Sequence, residues 1–259
     1  MASIRMLGTC CALPENEPNQ DCTCALVDDN ILIDTGFCAT VNMLHHGVTP
    51  CDLDYLFITH CHHDHYMGLP QILFYHAMAN RAKKKNNPFT IVGPRTEIRM
   101  VVERAIHFLR NDQYHFFNGQ GLDIVGLDPG ESFETPRYNV MTCPTIHTVP
   151  GLCYRFTEKA SGKSFVCCWD TAQYDGLIRY AKNADLLLHE ASYGPHKRDP
   201  LLPGGHSGAP DAAELAKNAC VGQLALVHYY PRLREENLKA AQAIVPNTIT
   251  PWPGDVMEI

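Results

Sequence analysis

The sequence has no excess of positive charge and no long apolar run. Lysine and arginine number 21 against 28 aspartates and glutamates, so the formal net charge is −7 over 259 residues. This balance argues against a generally cationic surface for non-specific nucleic-acid binding. No basic stretch precedes a long apolar segment, and no run reaches the about 18 apolar residues of a membrane helix. The sequence therefore predicts a cytoplasmic protein with no membrane partner.

The twelve cysteines lack the spacing of a disulfide framework. They are scattered along the chain, and no C-x-x-C spacing is repeated. We expect buried thiols that a reducing cytoplasm keeps free. The alternative is a further metal or redox site near Cys10, Cys11, Cys22 and Cys24.

Apolar segments alternate with helical patterns along the chain, without internal repeats or low-complexity linkers. The predicted strands lie at 3–7, at 24–33 with a turn at Asp29-Asn30, at 55–59, and near 164–169, 185–189 and 224–228. The predicted helices lie at about 68–82, 173–182 and 208–219. This order favours one α/β domain over residues 1–259, with sheets in the middle and helices outside.

The segment H-C-H-H-D-H at residues 60–65 is the strongest functional signal. It follows a buried strand and precedes a helix, and imidazole and carboxylate groups both suit zinc. At a rigid strand end, one pair of ligands points one way and the next pair another, which makes two adjacent metal sites possible. The alternative is a chance cluster of histidines on a solvated loop. Further candidate ligands follow later predicted strands, namely His147, Asp170 and His228.

Together these residues resemble the H-x-H-x-D-H motif, later histidine, aspartate and final histidine of the metallo-β-lactamase superfamily. The resemblance implies a four-layer αββα sandwich with two mixed sheets. It also implies two divalent metal ions, with Zn²⁺ expected and Mn²⁺ or iron as alternatives. Asp34 matches the family's early structural aspartate, which supports the ligand loop by hydrogen bonding. The implied ligands are His60, His62 and His147 for one ion, Asp64, His65 and His228 for the other, and Asp170 as the bridge.

Two further segments, LLLHEASY and GGHSGAPDAAELAKNA, resemble the HEAT and GHST segments of the ribonuclease Z branch. This resemblance implies a dyad of Glu190 and His206 beside the metals. His206 would protonate the leaving oxygen, since the unperturbed pKa of histidine, about 6.5, lies near working pH. The alternative is that Glu190 caps a loop and His206 lies on a glycine-rich turn. His189 is expected to be structural.

The predicted function is that of a dinuclear-metal-dependent phosphodiesterase. Two metals about 3.5–4 Å apart can share a bridging hydroxide as the nucleophile, with Asp64 orienting it or accepting a proton. Only residues 148–169 separate His147 from Asp170, which leaves no room for the long arm that ribonuclease Z uses to grip tRNA. We therefore expect a small phosphodiester or nucleic-acid-derived substrate. The alternative is hydrolysis of a lactone, thioester or lactam by the same ligands. A non-catalytic protein is disfavoured because structural zinc sites are usually rich in thiolate.

Two other segments invite alternative interpretations. The basic run Arg81–Lys85 either contacts substrate phosphates or forms a solvated helix end. The aromatic-rich stretch 107–117 forms the interface of a homodimer, a lid or part of the core.

Overall fold

Strands and helices alternate along the chain in the computed structural model, which describes residues 1–15, 17, 19–83, 88–115, 121–199, 201 and 204–259, the side chains of 79–83 excepted. The strands are β1 (Ser3–Gly8), β2 (Cys24–Val27), β3 (Ile31–Ile33), β4 (Tyr55–Phe57), β5 (Phe89–Pro94), β6 (Leu122–Leu127), β7 (Ser132–Glu134), β8 (Tyr138–Pro144), β9 (Leu152–Glu158), β10 (Ser164–Cys168), β11 (Leu186–Glu190), β12 (Gln223–Val227), β13 (Thr248–Ile249) and β14 (Val256–Glu258). The helices are α1 (Ala39–His45), α2 (His63–Tyr66), α3 (Leu69–Lys83), α4 (Ile98–Phe108), α5 (Asn111–Tyr114), α6 (Asp175–Ala181), α7 (Ala209–Asn218) and α8 (Arg234–Gln242).

The strands form two seven-stranded sheets of mixed direction. The first sheet has the order β14-β1-β2-β3-β4-β5-β6. Its pairings are antiparallel from β14 to β3 and parallel from β3 to β6. The second sheet has the order β13-β12-β11-β10-β9-β8-β7. It is parallel from β13 to β10 and antiparallel from β10 to β7, so both sheets are mixed.

Three clusters of buried apolar side chains define the layers. The central cluster lies between the sheets and includes Val27 and Phe57 of the first sheet and Tyr154 and Phe165 of the second. Another joins the outer face of the first sheet to α1, α3 and α4. The third joins the outer face of the second sheet to α6, α7 and α8. The predicted αββα sandwich is therefore confirmed.

The covered faces explain why several strands are apolar at every position. In β2, Cys24 and Leu26 pack towards the helices, while Ala25 and Val27 pack between the sheets. A strand buried on both faces loses the alternation of polar and apolar residues that a half-exposed strand shows. All five residues of β10 are buried in the same way.

The predicted elements occur close to their expected positions, but several others were not predicted, among them α1, α4 and α8. The turn at Asp29-Asn30 separates β2 from β3, and Pro210 lies in the first turn of α7. The helix expected from residue 68 is preceded by the short α2, which carries part of the histidine motif. Between residues 121 and 158 no element was predicted beforehand, yet β6 to β9 lie there. The extent of the domain over residues 1–259 stays a prediction.

The two additional segments lie only partly within the described residues. The side chains of the basic run Arg81–Lys85 lie outside them, and so do Phe116 and Phe117. Phe108, the last residue of α4, is exposed. The homodimer, like the roles of these segments, stays a prediction. None of the described helices is both long and apolar enough to cross a membrane.

Candidate metal centre

The candidate ligands meet at one edge of the sandwich because they follow the carboxyl ends of strands. Residues 60–65 follow β4 of the first sheet, while His147, Asp170 and His228 follow β8, β10 and β12 of the second. A short antiparallel bridge between His60 and Gly151 joins the two sheets here. The parallel strands β4, β10 and β12 therefore bring their carboxyl ends to the same place, and so does β8, which runs in the same direction as β10.

The first group of ligand atoms consists of three imidazoles and one carboxylate. Nε2 of His60 lies 3.1 Å from Nδ1 of His62, and Nε2 of His147 lies 3.0 Å from the same Nδ1. Oδ2 of Asp170 lies 3.6 Å from His60 and 3.7 Å from His147. All four atoms lie within 4.8 Å of one another, which is the spacing of donors around one ion.

The second group shares Asp170 with the first. Nε2 of His65 lies 3.3 Å from Oδ1 of Asp170 and 3.3 Å from Oδ2 of Asp64. Nε2 of His228 lies 3.1 Å from Oδ1 of Asp170 and 3.5 Å from Oδ2 of Asp64. Asp170 therefore presents Oδ2 to one group and Oδ1 to the other, as expected for a bridging carboxylate.

Asp34 organises one histidine of each group. Its Oδ2 atom lies 2.6 Å from Nδ1 of His65 and accepts a hydrogen bond of 2.6 Å from the Thr59 hydroxyl. Because that hydroxyl proton is committed to Asp34, the Thr59 oxygen, 3.2 Å from Nδ1 of His60, is free to accept from His60. These contacts assign the proton of both rings to Nδ1 and leave Nε2 as the ligand atom.

Ser192 and Gly205 fix two further rings in the same way. Nδ1 of His228 lies 2.8 Å from the Ser192 hydroxyl oxygen, and that hydroxyl donates to the His228 carbonyl at 3.1 Å. Nδ1 of His147 donates to the carbonyl of Gly205 at 3.1 Å. His62 has the opposite ring orientation. Its Nε2 lies 3.3 Å from the Thr148 hydroxyl, and its Nδ1 faces the ligand group. Each imidazole thus directs one unprotonated nitrogen inwards.

The electrostatics of the site fit bound cations. Asp64 and Asp170 are buried, and neither Oδ1 of Asp170 nor Nε2 of His65 has a hydrogen-bond partner in the described chain. Burial opposes charge on His65, but the carboxylates of Asp170 and Asp34 outweigh it and raise its pKa. Buried carboxylates require a positive counter-charge. Two divalent ions on these nitrogen and oxygen donors would supply it.

Glu190 and His206 form a hydrogen-bonded pair beside the two groups. Nδ1 of His206 lies 2.9 and 3.1 Å from the two carboxylate oxygens of Glu190. The His206 ring stacks on His228 at 5.9 Å between centroids and meets His147 edge-on at 4.8 Å. Burial lowers the pKa of His206, but the Glu190 carboxylate outweighs burial and raises it to about 9.

Glu190, His206 and His228 also lie close enough together to suggest a third metal position. The Glu190 oxygens, however, already accept from the backbone N–H of Thr171 at 2.7 Å and of Ser192 at 3.3 Å, besides His206. With these acceptor sites occupied, the carboxylate is better suited to orienting His206 than to binding an ion.

A cavity of about 500 Å³ opens above the ligand groups. His62, Asp64, Asp170 and His228 of the two ligand groups line it together with His206, and its walls come from the segments after β1, β4, β11 and β12. The wall residues are Cys11, Ala12, Leu13, His63, Ser192, Tyr193 and Tyr230. Pockets of this size bind small molecules.

The cysteines take no part in the ligand groups found among the described residues. Cys10, Cys11, Cys22 and Cys24 are all buried and free. Burial raises the pKa of Cys10 to about 12, so this thiol is a weak ligand at neutral pH. The expectation of buried free thiols therefore fits the structure better than a further thiolate site.

Three positioning residues were missed from the sequence. Thr59 is the residue immediately before the motif, and Ser192 follows the HEA segment by one position. Their place beside known motifs was the available signal. Gly205 acts through its backbone carbonyl, which no side-chain pattern reports.

Comparisons with known proteins identify the family and the fold. A family model described as "Beta-lactamase superfamily domain" matches residues 29–229. Ribonuclease Z of Shouchella clausii is 27% identical over 263 aligned residues, which cover 84% of this chain and 83% of that protein. Among solved structures, YhfI of Bacillus subtilis, a metallo-beta-lactamase fold protein, superposes with a TM-score of 0.81 at 20% identity, covering 99% and 98% of the chains. The short form of human tRNase Z gives 0.80 at 21% identity, covering 99% of both. Because the family match spans most of the sequence, the chain belongs to the metallo-β-lactamase superfamily.

Proposed function

We propose that this chain is a phosphodiesterase that depends on two divalent metal ions. The observation that carries the proposal is the Glu190–His206 pair, which lies beside two ligand groups that share Asp170. Release of an alkoxide from a phosphodiester requires a proton, which a histidine held by a carboxylate can donate. The ribonuclease Z name of a relative that matches 84% of the chain supports the same class of reaction.

The proposed ligands are the residues that the two groups bring together. His60, His62 and His147 would hold one ion, Asp64, His65 and His228 the other, and Asp170 both. Zinc is the proposed metal because imidazole and carboxylate donors in this number suit it, and Mn²⁺ or iron is the alternative. When bound, the ions supply an activated water and neutralise charge on the phosphoryl oxygens.

Asp64 is the proposed orienting group for the attacking water. Its side chain is buried yet borders the cavity, and its Oδ2 lies between the Nε2 atoms of His65 and His228. A carboxylate oxygen placed between these two ligand atoms would lie beside the water that the ions activate. We propose that this oxygen also accepts the proton of the water.

His206 is the proposed proton donor to the leaving oxygen. Nδ1 is held by Glu190, which leaves the N–H at Nε2 available to a substrate in the cavity. The Glu190 carboxylate raises the pKa of this ring, which favours the protonated form that a proton donor needs. The Glu190 carboxylate both orients the imidazole and stabilises its charged form.

The proposed substrate is a small phosphodiester or a fragment derived from nucleic acid. The cavity of about 500 Å³ has the volume of a nucleotide-sized ligand. The short span between His147 and Asp170 and the net charge of −7 both disfavour a large polyanionic partner. We further propose a cytoplasmic location, because twelve free cysteines suit a reducing compartment.

Hydrolysis of bis(p-nitrophenyl) phosphate by protein of measured metal content tests the proposal. We expect turnover in the native chain, and in Asp170→Ala we expect loss of metal and nearly all activity. His45→Ala, an exposed histidine on α1, serves as the control. Two bound metals without turnover of any phosphodiester would overturn the proposal and direct the assay to lactones, thioesters and lactams.

A further inference from the structure

His63 is the one histidine of the H-C-H-H-D-H motif that contributes no atom to the two ligand groups. Its side chain is 55% exposed, whereas those of its neighbour Asp64 and of His65 are buried. It begins α2 and lines the cavity above the groups. The ring therefore points to the space that a substrate would fill.

The aromatic ring of Phe37 supports the His63 ring. The ring stacks on Phe37, with 5.9 Å between centroids and 27° between planes. Phe37 is itself fixed, since its backbone N–H donates to Oδ1 of Asp21 at 3.0 Å. Asp21 is buried and also accepts from the backbone N–H of Cys38 at 2.8 Å. This exposed side chain is thus preorganised by a buried network.

The nitrogens of His63 remain available to a ligand. In the described part of the chain no hydrogen bond to this ring occurs, and its closest charged neighbour is Oδ1 of Asp64, 3.8 Å from Nδ1. That distance is too long for a hydrogen bond. An N–H donor at the cavity wall, beside the metal groups, suits an anionic oxygen.

His63 and His206 reach the cavity from different sheets. His63 begins α2, which follows β4 of the first sheet, and His206 lies between β11 of the second sheet and α7. In the function proposed above, the contact with Glu190 orients His206 as the proton donor to the leaving oxygen. A phosphodiester also carries non-bridging oxygens, which a second donor in the cavity can contact.

On the basis of that proposed function, we propose that His63 is a substrate-binding residue that donates a hydrogen bond to a non-bridging oxygen of the phosphodiester. Phe37 positions the ring for this contact. His63 thereby makes the site selective for an anionic phosphoryl group over a neutral ester or lactone, which has no such oxygen.

The test compares His63→Ala, His63→Phe and His63→Gln in the metal-loaded protein. The alanine variant removes the ring, the phenylalanine variant keeps stacking on Phe37 without a donor, and the glutamine variant keeps an N–H donor. The readouts are metal content, kcat and KM for bis(p-nitrophenyl) phosphate, and the dissociation constant of inorganic phosphate by calorimetry. His45→Ala is the control.

We expect two bound metals in every variant. A lost hydrogen bond to a charged group corresponds to a rise of about 10-fold or more in KM and in the phosphate dissociation constant for His63→Ala and His63→Phe. His63→Gln should rise less, and kcat should stay near the native value because the contact binds substrate and transition state alike.

Native constants in His63→Ala or His63→Phe would overturn the proposal, and so would loss of metal from His63→Ala. The calorimetric arm separates this proposal from the broader one. If the native chain hydrolyses no phosphodiester, the proposed function fails, while phosphate binding still reports on His63.

Discussion

Asp34 and His65 are joined by a contact of 2.6 Å between Oδ2 and Nδ1, and both side chains are fully buried. The same carboxylate accepts from the backbone N–H of Thr59 at 2.7 Å and from its hydroxyl at 2.6 Å. Through Thr59 it also reaches His60, so one residue orients a histidine of each ligand group. Asp34 takes this position with a left-handed backbone, φ +52°, which aspartate and asparagine tolerate better than most residues.

Replacing Asp34 with asparagine should weaken metal binding while preserving the fold. The amide fits the space and the left-handed backbone, but it is a poorer acceptor for the imidazole proton. Loss of such an outer partner costs about 10- to 100-fold in metal affinity. A competition titration with a chelator of known affinity measures the change.

Asp28→Asn is the matched control for that experiment. Asp28 also has a left-handed backbone, φ +49°, and its carboxylate pairs with Arg137 at 2.8 Å, in a network outside the ligand groups. We expect a smaller free energy of unfolding in Asp28→Asn and native metal affinity. Equal metal affinity in both variants would show that Asp34 does not support the centre.

His206→Ala should keep both metals and slow catalysis to an extent that depends on the leaving group. Positioned acids contribute about 10²- to 10⁴-fold to rates. The larger loss is expected for a methyl or alkyl ester, whose alkoxide needs a proton, and the smaller for p-nitrophenolate, which leaves without one. A plot of the logarithm of kcat against the pKa of the leaving alcohol should have a steeper slope in the variant than in the native chain. Parallel plots would remove His206 from the proton-transfer step.

Alkylation of the folded protein should modify few cysteines and release no metal. Cys38 and Cys220 are exposed, Cys61 is partly exposed and the other nine are buried. Burial and the charge of Asp21 raise the pKa of Cys38, so even this thiol should react slowly at neutral pH. Intact-mass spectrometry counts the modified thiols, and a zinc indicator follows the metal. Release of metal in step with alkylation would restore the alternative of a functional thiol site.

The ligand positions were predictable from the sequence because their chemistry and their place along the chain coincide. All seven candidate ligands were recognisable by residue type, and two of the strands before them, β10 and β12, carry largely apolar runs. The relation between a strand's carboxyl end and a functional residue is local. A ligand position can therefore be predicted without knowing which strands pair.

Asp34 was predicted as an outer partner, whereas the roles of Ser192 and Gly205 were missed because they depend on contacts between distant segments. Ser192 meets His228 across 36 positions, and Gly205 meets His147 across 58. The missed strands β6 to β9 have a different cause. Of the three residues of β7, only Phe133 favours a strand, and the segment pairs with β8. In β8, Tyr138, Val140 and Thr142 are buried, but the exposed Met141 and the polar Thr142 hide this alternation in the sequence.

Gly205→Ala should destabilise the protein and disturb the metal centre together. Gly205 has φ +63°, and an added Cβ would clash with the carbonyl oxygen of Ile146 and lie 2.6 Å from Cα of His147. Its own carbonyl accepts the Nδ1 proton of His147, so any shift that relieves the clash moves a proposed ligand. Thermal unfolding with and without chelator, and the metal titration, measure the two effects.

Gly162→Ala separates the clash at Gly205 from the cost of its backbone conformation. Gly162 has φ +74°, and nothing lies within 4 Å of an added Cβ, so alanine there meets only the left-handed penalty of about 1–2 kcal/mol. Gly205→Ala should lose more free energy of unfolding than Gly162→Ala and, unlike it, should bind metal more weakly. The contrary result is an equal loss of stability in the two variants, with native metal affinity in both. Only the backbone strain common to both sites would then be measurable, and the contact between Gly205 and His147 would have no part in holding the ligand.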